Sequence, residues 1–581
     1  MPHSPFHRRA STRVATVAVT ALALAAGVAA PAAAHGGDQR WPSRTTELRL
    51  IAFNDLHGQL EPGASSSTGR VTLSDGSTVW AGGAAYLATH VRNLRQEADN
   101  SLVLSVGDNI GASPLPSALF HDEPTVAFMN DLGVAASAIG NHELDEGFAE
   151  LRRIQDGGCH PVDGCQFEDG YEGADFPYLG ANMTWEETGR AAVAPYTVRH
   201  VKGVPVGIIG LPLRGMDTLV AADGIAGLEF GDEVEAIDRA ARQLDRRGVR
   251  SIVVLLHQGD NTEGGGPSDC ATLPGPARAI AEESSPLVDV FFTGHSHQQY
   301  TCTVEDPAGD PRPMVQGASA GRLLSVVDLT IDRRTRDVVR EATVAFNHVV
   351  TRDVTPDPRA QALVDRAVAD SAPISNAPVG TVAESLTRTA APSGESPLGS
   401  VIADAQLAAT RGAGAQIAMT NPGGVRTDID YASSPAQEGD GVVTYGETYA
   451  VQPFANILQT ITLTGAQLDA VLEQQWQPQP NGTVAQRILQ VSANLHYTWS
   501  RSAPLGARVS GITVDGVPVA ADQTYRVTVN NFLTGGGDGF SELTRGTDLV
   551  GGMIDLDALI AYLGANPGLT APAADRITVT N

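Results

Sequence analysis

The chain has 581 residues and a formal net charge of -27 at pH 7, because 66 Asp and Glu outnumber 39 Lys and Arg. Such an acidic surface does not favour nucleic acid or an anionic membrane as a partner, so we expect neither. The length suggests about two to four domains.

Residues 1–34 have the three parts of a secretory signal peptide. A basic, acid-free start with three arginines is followed by an apolar run from Val14 to Ala30 and by the small residues Ala32 to Ala34. The run is shorter than the ~20 residues that a membrane span needs, which disfavours an anchor. We therefore expect cleavage after Ala34 and a secreted, extracellular protein. Loss of the three arginines changes its charge from -27 to -30.

Four cysteines, an even number in an exported chain, favour disulfide bonds. Three pairings are open, and we prefer the near neighbours, Cys159 with Cys165 and Cys270 with Cys302. A cysteine-ligated zinc site is the alternative, but no Cys-x-x-Cys spacing supports it.

Five predicted β-strands, residues 47–53, 101–106, 134–139, 251–256 and 288–293, each lead into Asp, Asn or His. The polar residues at their ends are Asp55, His57, Asp108, Asn141, His257, His295 and His297. A buried polar group costs free energy unless it is paired, so the repetition of these types indicates a shared task. Nitrogen and oxygen ligands without a thiolate suit two divalent ions, such as Zn, Mn, Fe or Co, with Asp108 able to bridge them. Such a pair catalyses phosphoester hydrolysis.

The segment Gly140-Asn141-His142-Glu143-Leu144-Asp145 contains the densest polar cluster. His142 is not needed as a metal ligand and is a candidate catalytic residue, able to donate a hydrogen bond to phosphoryl oxygens or to protonate the leaving oxygen. Asp145 can orient its imidazole, or cap a helix, or do both. For Glu143 we expect either a solvated position or a supporting one beside the ligands, and no catalytic role.

These residues carry a resemblance. Five motifs, taken in chain order, resemble the signature of the calcineurin-like metallophosphoesterases. They are Asp55-x-His57, Gly107-Asp108-Asn109, Gly140-Asn141-His142-Glu143, His257 and Gly294-His295-Ser296-His297. The resemblance implies a four-layer α/β/β/α sandwich with its metal site at the strand ends. It further implies two ligand sets that share Asp108: Asp55, His57, Asp108 and His297, and Asp108, Asn141, His257 and His295. His297 stands where some relatives have glutamine.

The second half of the chain contains glycine turns beside an arginine and two phenylalanines. Glycines allow a ligand to approach the backbone closely, Arg426 can pair with phosphate, and aromatic rings can stack on a base. Three motifs resemble those of the C-terminal domain of the 5'-nucleotidase family. They are Asn421-x-Gly-Gly-x-Arg426, Pro453-Phe454-x-Asn456, and Phe532 with Gly537-Asp538-Gly539.

That resemblance implies roles for the substrate-binding residues. Phe454 and Phe532 would sandwich the nucleobase, Asp538 would hold the ribose hydroxyls, and Asn456 would touch the base. Asn421 and Arg426 would contact the nucleoside and phosphate side. The usual arginine just ahead of the segment matching 395–404 is missing, and Arg388 is the nearest substitute.

The expected organisation is a signal peptide (1–34), a metallophosphoesterase domain (45–350), a linker helix (351–376) and an α+β substrate domain (377–581). The expected function is removal of phosphate from nucleoside 5'-monophosphates by metal-activated water. The alternatives on the same site are a UDP-sugar or dinucleotide pyrophosphohydrolase and a 2',3'-cyclic nucleotide phosphodiesterase. A non-catalytic nucleotide-binding protein would not need His142 and Asp145, and a nuclease conflicts with the acidic surface.

Overall fold

The computed structural model describes residues 44–63, 66–216, 219–220, 222–262, 264–272, 275–433, 437–454, 456–478 and 484–581. The predicted signal peptide, residues 1–34, lies outside these described residues. None of the described helices combines the length and apolarity needed to cross a membrane.

Two large β-sheets and two short two-stranded sheets form the first part of the described chain. Its strands are β1 Thr45–Phe53, β2 Arg70–Thr72, β3 Thr78–Trp80, β4 Ser101–Ser105, β5 Val134–Ala138, β6 Tyr178–Leu179, β7 Met183–Trp185, β8 Tyr196–Val201, β9 Val204–Pro212, β10 Leu228–Phe230, β11 Ser251–His257, β12 Val290–Thr293, β13 Gln299–Glu305, β14 Pro311–Gly317, β15 Leu323–Asp332, β16 Asp337–Val338 and β17 Val344–Val349. One sheet has the order β16-β15-β1-β4-β5-β6, with β17 also paired to β15, and the other has the order β13-β14-β12-β11-β9-β8.

Helices cover the outer faces of both sheets. They are α1 Ser66–Gly69, α2 Ala84–Gln96, α3 Leu115–Ala118, α4 Glu123–Leu132, α5 Phe148–Asp156, α6 Glu233–Arg246 and α7 Pro276–Glu283. Alternation along β1 shows how a strand serves two layers: Leu48 and Leu50 pack between the sheets, whereas Ile51 packs with the helix-facing core. In the second sheet, Phe291 packs with the helix-facing core and Phe292 packs between the sheets. These layers confirm the predicted α/β/β/α sandwich.

The strands that lead into the candidate ligands are parallel neighbours. β4 lies between β1 and β5 in the first sheet, and β11 lies beside β12 in the second. Because parallel neighbours end at the same edge of a sheet, the loops after these strands meet there. The fold therefore brings together sequence segments that are up to 240 residues apart.

Helix α8, Pro358–Ser375, occupies most of the predicted linker. It begins at Pro358, because the Asp357 side chain caps it by accepting hydrogen bonds from the backbone N–H groups of Arg359 and Ala360 at 2.9 and 3.0 Å. It also continues past Pro373, since a proline so close to a helix end removes only one backbone hydrogen bond. Its buried residues join the core of the first sheet, while it also contacts the second half of the chain.

The second half of the chain is a mixed α+β unit. Its strands are β18 Pro378–Thr381, β19 Ile417–Thr420, β20 Val442–Thr444, β21 Ile457–Thr464, β22 Trp476–Pro478, β23 Val484–Gln486, β24 Gln490–Val491, β25 Leu495–Ser500, β26 Val509–Val514, β27 Val517–Pro518, β28 Thr524–Asn530, β29 Thr547–Ile554 and β30 Ile577–Thr580. Its helices are α9 Pro397–Thr410, α10 Tyr445–Val451, α11 Gly465–Glu473, α12 Asn531–Thr534 and α13 Asp555–Ala565. The larger sheet has the order β24-β19-β28-β21-β29 and the smaller β27-β26-β25-β30.

Both preferred cysteine pairings are confirmed. Cys159 is bonded to Cys165 and Cys270 to Cys302. The second bond links the segment before α7 to β13, and the first closes a short loop after α5. No cysteine remains for the zinc alternative, since the described residues include all four.

Candidate metal centre and active site

The seven predicted metal ligands converge at the shared edge of the two sheets. Ligand atoms of Asp55, His57 and His297 lie within 4.8 Å of one another, and so do those of Asp108, His257 and His295. Asp108 Oδ2 is 3.2 Å from His257 Nε2 and 3.9 Å from His57 Nε2, so this carboxylate stands between the two groups.

The seventh predicted ligand, Asn141, joins the second group. Its Oδ1 lies 2.9 Å from His295 Nδ1 and 3.3 Å from His257 Nε2. In the first group, His57 Nε2 and His297 Nε2 face each other at 3.1 Å, and His297 Nε2 lies 3.4 Å from an oxygen of Asp55. The two groups match the two predicted ligand sets, although the roles themselves remain predictions.

Much of this site is built on left-handed backbone. Five of the seven predicted ligands have positive φ angles: Asp55 (50°), His57 (48°), Asp108 (51°), His295 (66°) and His297 (57°). This conformation costs a non-glycine residue roughly 1–2 kcal/mol, and such residues concentrate at functional sites. The turns therefore aim these side chains at one point, at an energetic cost that the fold must offset.

Backbone carbonyls set the orientation of two histidines. His57 Nδ1 lies 3.1 Å from Gly111 O, and His257 Nδ1 lies 2.8 Å from Val106 O. A carbonyl oxygen only accepts, so each Nδ1 carries the proton and each Nε2 faces the other candidate ligands. Burial lowers the pKa of His57 to about 3 and that of His295 to about 4, which keeps both rings neutral. Neutral imidazole is the form that binds metals.

The electrostatics of the site favour a cation. Burial raises the pKa of Asp108, but His257 and His142 outweigh burial and hold it well below its ordinary value. Burial lowers the pKa of His257, yet the charge of Asp108 outweighs it and raises the pKa to about 10. A buried carboxylate, an amide oxygen and imidazole nitrogens thus surround a point that attracts positive charge, and this donor set fits divalent ions.

Glu143 supports the loops that carry the ligands, a role that sequence reasoning left open. It is 2% exposed, and its carboxylate accepts from the backbone N–H groups of Asp108 (2.8 Å), Asn109 (2.8 Å) and Gly140 (2.6 Å). Asn109 also donates to it from its side chain at 3.1 Å. One carboxylate therefore fixes two ligand loops to each other.

Asn54 has a comparable role for Asp55. Its amide donates to Asp55 Oδ2 at 2.6 Å, and its Oδ1 accepts from Gly317 N at 3.0 Å. Its position directly before Asp55 was the only sequence signal for this role. Gly140 is required sterically, because a Cβ there would overlap the Asp108 carboxylate and lie 2.7 Å from His257 Cε1.

His142 and Asp145 form a pair at the edge of the ligand groups. His142 Nδ1 lies 2.8 Å from Asp145 Oδ2, and the His142 backbone N–H donates to Asp108 Oδ1 at 2.8 Å. Burial lowers the pKa of His142, but the charges of Asp145 and Asp108 outweigh burial and raise it. Since Asp145 occupies Nδ1, Nε2 is the nitrogen that remains for a substrate.

A cavity of about 350 Å³ joins this pair to the second half of the chain. It contains most of the predicted substrate-binding residues together with residues that sequence reasoning missed. Its lining includes Asn141, His142, Asp145, Leu219, Val220, His295, Asn421, Arg426, Phe454, Asn456, Ile457, Asn530, Asn531, Phe532 and Asp538. Leu219 and Val220 come from an irregular segment of the first part of the chain, which carried no motif.

Contacts across the cavity tie the two halves of the chain together. The rings of His142 and Phe454 stack with centroids 5.6 Å apart and an interplanar angle of 15°. The Arg426 guanidinium lies 5.7 Å from the centre of the Phe454 ring. Arg426 lines the same cavity as Asn141, His142 and His295, so the second half of the chain places a cation near the candidate metal centre. Burial lowers the pKa of Arg426, and the charges of Asp145 and Asp108 act in the opposite direction.

Hydrogen bonds hold the remaining polar residues of the cavity. Asn421 Nδ2 donates to Asp538 Oδ2 at 2.7 Å, and Arg487 Nε lies 3.4 Å from Asp538 Oδ1. Asn456 Nδ2 donates to Asp555 Oδ2 at 3.2 Å. Asn421, Asp538 and Asn456 are therefore positioned before any ligand binds.

Arg388 is placed differently from the prediction. It is exposed and stands outside the cavity lining, and its Nη1 donates to the carbonyl oxygens of Val425 (3.1 Å) and Arg426 (2.7 Å). This arrangement does not support direct contact with phosphate. Instead, Arg388 fixes the loop that presents Arg426.

Comparisons with known proteins agree with this arrangement. The family model of calcineurin-like phosphoesterases matches residues 48–299, and that of the 5'-nucleotidase C-terminal domain matches residues 377–545. The cell wall protein Lmo0130 of Listeria monocytogenes is 33% identical over 89% of this chain and 67% of its own length. The chain belongs to the 5'-nucleotidase family.

A solved member of this family and a longer relative are also similar. The 5'-nucleotidase precursor from Thermus thermophilus superposes with a TM-score of 0.74 at 29% identity, covering 92% of this chain and 99% of that one. The endonuclease YhcR of Bacillus subtilis is 31% identical over 92% of this chain, but this chain spans only 41% of its length. Family membership makes this protein a metal-dependent phosphoester hydrolase.

We expect Glu143→Gln to weaken metal binding by about 10–100-fold, the usual effect of losing a group that orients metal ligands. Its amide N–H would face backbone donors where a carboxylate oxygen now accepts. Competition with a chelator measures the affinity. Glu235→Gln, at an exposed position on α6, is the matched control, and equal affinities in the two variants would contradict the proposed support.

We expect His142→Ala to retain its metal content while kcat falls by ~10² or more, the scale for loss of a positioned acid or electrostatic donor. Metal analysis and steady-state kinetics of the same preparation give both values. His200→Ala, an exposed histidine on β8, is the control. Near-normal turnover of His142→Ala would refute a role in the chemistry.

Proposed function

We propose that this protein is a secreted dimetal phosphohydrolase that removes phosphate from nucleoside 5'-monophosphates. One observation carries the proposal: a single cavity is lined by two of the candidate metal ligands, Asn141 and His295, by His142, and by Phe454 and Phe532. A phosphate and a base joined by one ribose would therefore share one cavity with the ligands and the rings.

The size of the cavity accommodates one nucleotide. About 350 Å³ lies near the lower limit of small-molecule sites, which span roughly 300–1,000 Å³. The cavity is open to solvent, so a UDP-sugar or a dinucleotide can extend beyond it. The pyrophosphohydrolase and cyclic-nucleotide alternatives therefore stand beside the monophosphate until the substrates are compared directly.

The residues of the first half would hold the ions. One set is Asp55, His57, Asp108 and His297, and the other is Asp108, Asn141, His257 and His295. When bound, two divalent ions supply a Lewis acid for the phosphoryl group and lower the pKa of water. His142 would hydrogen-bond through Nε2 to the phosphoryl or leaving oxygen, with Asp145 fixing the ring at Nδ1.

The residues of the second half would hold the nucleoside. Arg426, which lines the same cavity as Asn141 and His295, can pair with phosphate. Phe454 and Phe532 would stack on the base, and Asn456 would touch its edge. Asp538 would accept from the ribose hydroxyls, since Asn421 and Arg487 already fix its carboxylate.

The structure also changes which variant tests base stacking most cleanly. Phe454 stacks on His142, so its loss affects the chemistry as well as binding. We expect Phe532→Ala to raise KM for AMP while sparing p-nitrophenyl phosphate, which has no base. Stacking contributes roughly 1–3 kcal/mol per base. Phe454→Ala is the comparison, with losses expected on both substrates; equal losses from Phe532→Ala on both would count against the stacking role.

A panel assay tests the proposed substrate and metals together. The enzyme is stripped of metal, and Zn, Mn, Fe or Co is added back before assay with AMP, UDP-glucose, NAD, 2',3'-cyclic AMP and single-stranded DNA. We expect the highest kcat/KM with AMP and no salt-dependent DNA binding. A higher value for NAD, UDP-glucose or cyclic AMP would assign the alternative, and hydrolysis of DNA would overturn the expectation drawn from the acidic surface.

A further inference from the structure

Two asparagines flank the rings that are proposed to hold the base. Asn456 lies two residues after Phe454, and Asn531 directly precedes Phe532. Both asparagines line the cavity together with the two rings. They are also neighbours, because the backbone N–H of Ile457, the residue after Asn456, donates to Asn531 Oδ1 at 2.9 Å. A base stacked between the rings would therefore have two side-chain amides within reach of its edge.

Asp555 fixes the orientation of the Asn456 amide from outside the cavity lining. It is the first residue of α13 and is 2% exposed. Its Oδ2 accepts from Asn456 Nδ2 at 3.2 Å, and its backbone N–H donates to the Asn456 carbonyl at 2.8 Å. Its Oδ1 accepts from the backbone N–H of Leu556 at 2.9 Å. A carboxylate only accepts hydrogen bonds, so Asn456 must direct the nitrogen of its amide, and not the oxygen, at Asp555.

This orientation determines which atoms a ligand meets. Among the described residues, Asn456 Oδ1 and Asn531 Nδ2 have no hydrogen-bond partner, whereas the other atom of each amide is engaged. Asn456 therefore offers an acceptor to the cavity, and Asn531 offers a donor. An amino group beside a ring nitrogen that accepts, as in adenine, complements such a pair.

We propose that Asp555 is a positioning residue that makes the site prefer bases with an exocyclic amino group, adenine and cytosine. The inference rests on the proposed base site between Phe454 and Phe532. A base with a carbonyl oxygen in place of the amino group would set one acceptor against Asn456 Oδ1, and both oxygens would lack a donor. Asp555 acts only through Asn456 and does not touch the base.

The exchange Asp555→Asn keeps the shape of the side chain and reverses the orientation. The oxygen of the new amide would keep the hydrogen bond from Leu556, so its nitrogen would face Asn456 Nδ2. Two donors cannot bond to each other. The Asn456 amide would therefore turn over and present its nitrogen to the cavity, where an amino group of the base would meet a donor.

Two substrates that differ only in the amino group test this role. AMP carries the group, and purine riboside 5'-monophosphate has hydrogen in its place. Burial raises the pKa of Asp555 to about 7, so kinetics at about pH 8.5 keep the carboxylate ionised. We expect kcat/KM of the wild type to favour AMP by about 2–10-fold, the scale of one neutral hydrogen bond. In Asp555→Asn the ratio should fall to unity or below.

Asp557→Asn is the matched control, because Asp557 is exposed and lies in the same turn of α13. It should keep the ratio of the wild type. A general loss of stability lowers both rates by the same factor, so the ratio isolates the orientation of Asn456. An unchanged ratio in Asp555→Asn, or an equal fall in Asp557→Asn, would overturn the proposal.

The wild type alone also provides a decisive result. Equal kcat/KM for the two substrates would overturn the proposal even if Asp555→Asn does not fold. Dissociation constants of adenosine and purine riboside, which carry no phosphate, give the same comparison without turnover. Loss of the preference with AMP hydrolysis intact would refute the role of Asp555 alone. A retained preference for adenosine without AMP hydrolysis would refute the proposed phosphatase activity and support the role of Asp555.

Discussion

The structure depends on gathering seven polar side chains at the edge where two sheets meet, and four of them, Asp55, Asp108, Asn141 and His257, are buried. Burial of two carboxylates, an amide and an imidazole costs free energy, and five of the seven residues add the cost of left-handed backbone. The fold offsets this with supporting groups. Glu143 joins two ligand loops, Asn54 holds Asp55, and the carbonyls of Gly111 and Val106 fix two rings. A bound cation would supply the remaining compensation.

The candidate site is complete only when both halves of the chain are in place. The metal ligands, His142 and Asp145 all belong to the first half, whereas the aromatic rings and Arg426 belong to the second. The stack of His142 on Phe454 joins them directly. In this structure Arg426 and Phe454 line the same cavity as the candidate ligands Asn141 and His295. Arg388 holds the loop that carries Arg426 by a hydrogen bond to the Arg426 carbonyl.

Much of the fold and of this site could be predicted from the sequence, for a physical reason. The candidate ligands share a pattern in which apolar runs lead into Asp, Asn or His at the ends of buried strands, and this pattern indicated all seven of them. The sandwich and the division into two ligand sets came from the resemblance to the calcineurin-like metallophosphoesterases. The supporting residues could not be found from the pattern. For Glu143 the sequence left a solvated and a supporting position open, and only three-dimensional contact shows that it accepts from three backbone groups. Leu219 and Val220 belong to no sequence motif. The position of the Arg388 side chain depends on hydrogen bonds to two backbone carbonyls that lie 37 and 38 residues further along the chain.

The residues proposed for the reaction and those proposed for substrate specificity form largely separate sets in this fold. Within the described part of the chain, the hydrogen bonds of the ligand groups end on backbone groups, on Asn54 and on each other, which leaves them little means to distinguish one base from another. Base and ribose would meet Phe454, Phe532, Asn456 and Asp538, whose polar members are fixed by Asp555, Asn421 and Arg487. A change among Phe532, Asn456 and Asp538 would alter which nucleoside binds without disturbing the candidate metal ligands. The exception is Phe454, because its ring belongs to the proposed base site and also stacks on the candidate catalytic residue His142. Under the proposed function, substitution of Phe454 would change binding and turnover together, whereas substitution of Phe532 would change binding alone.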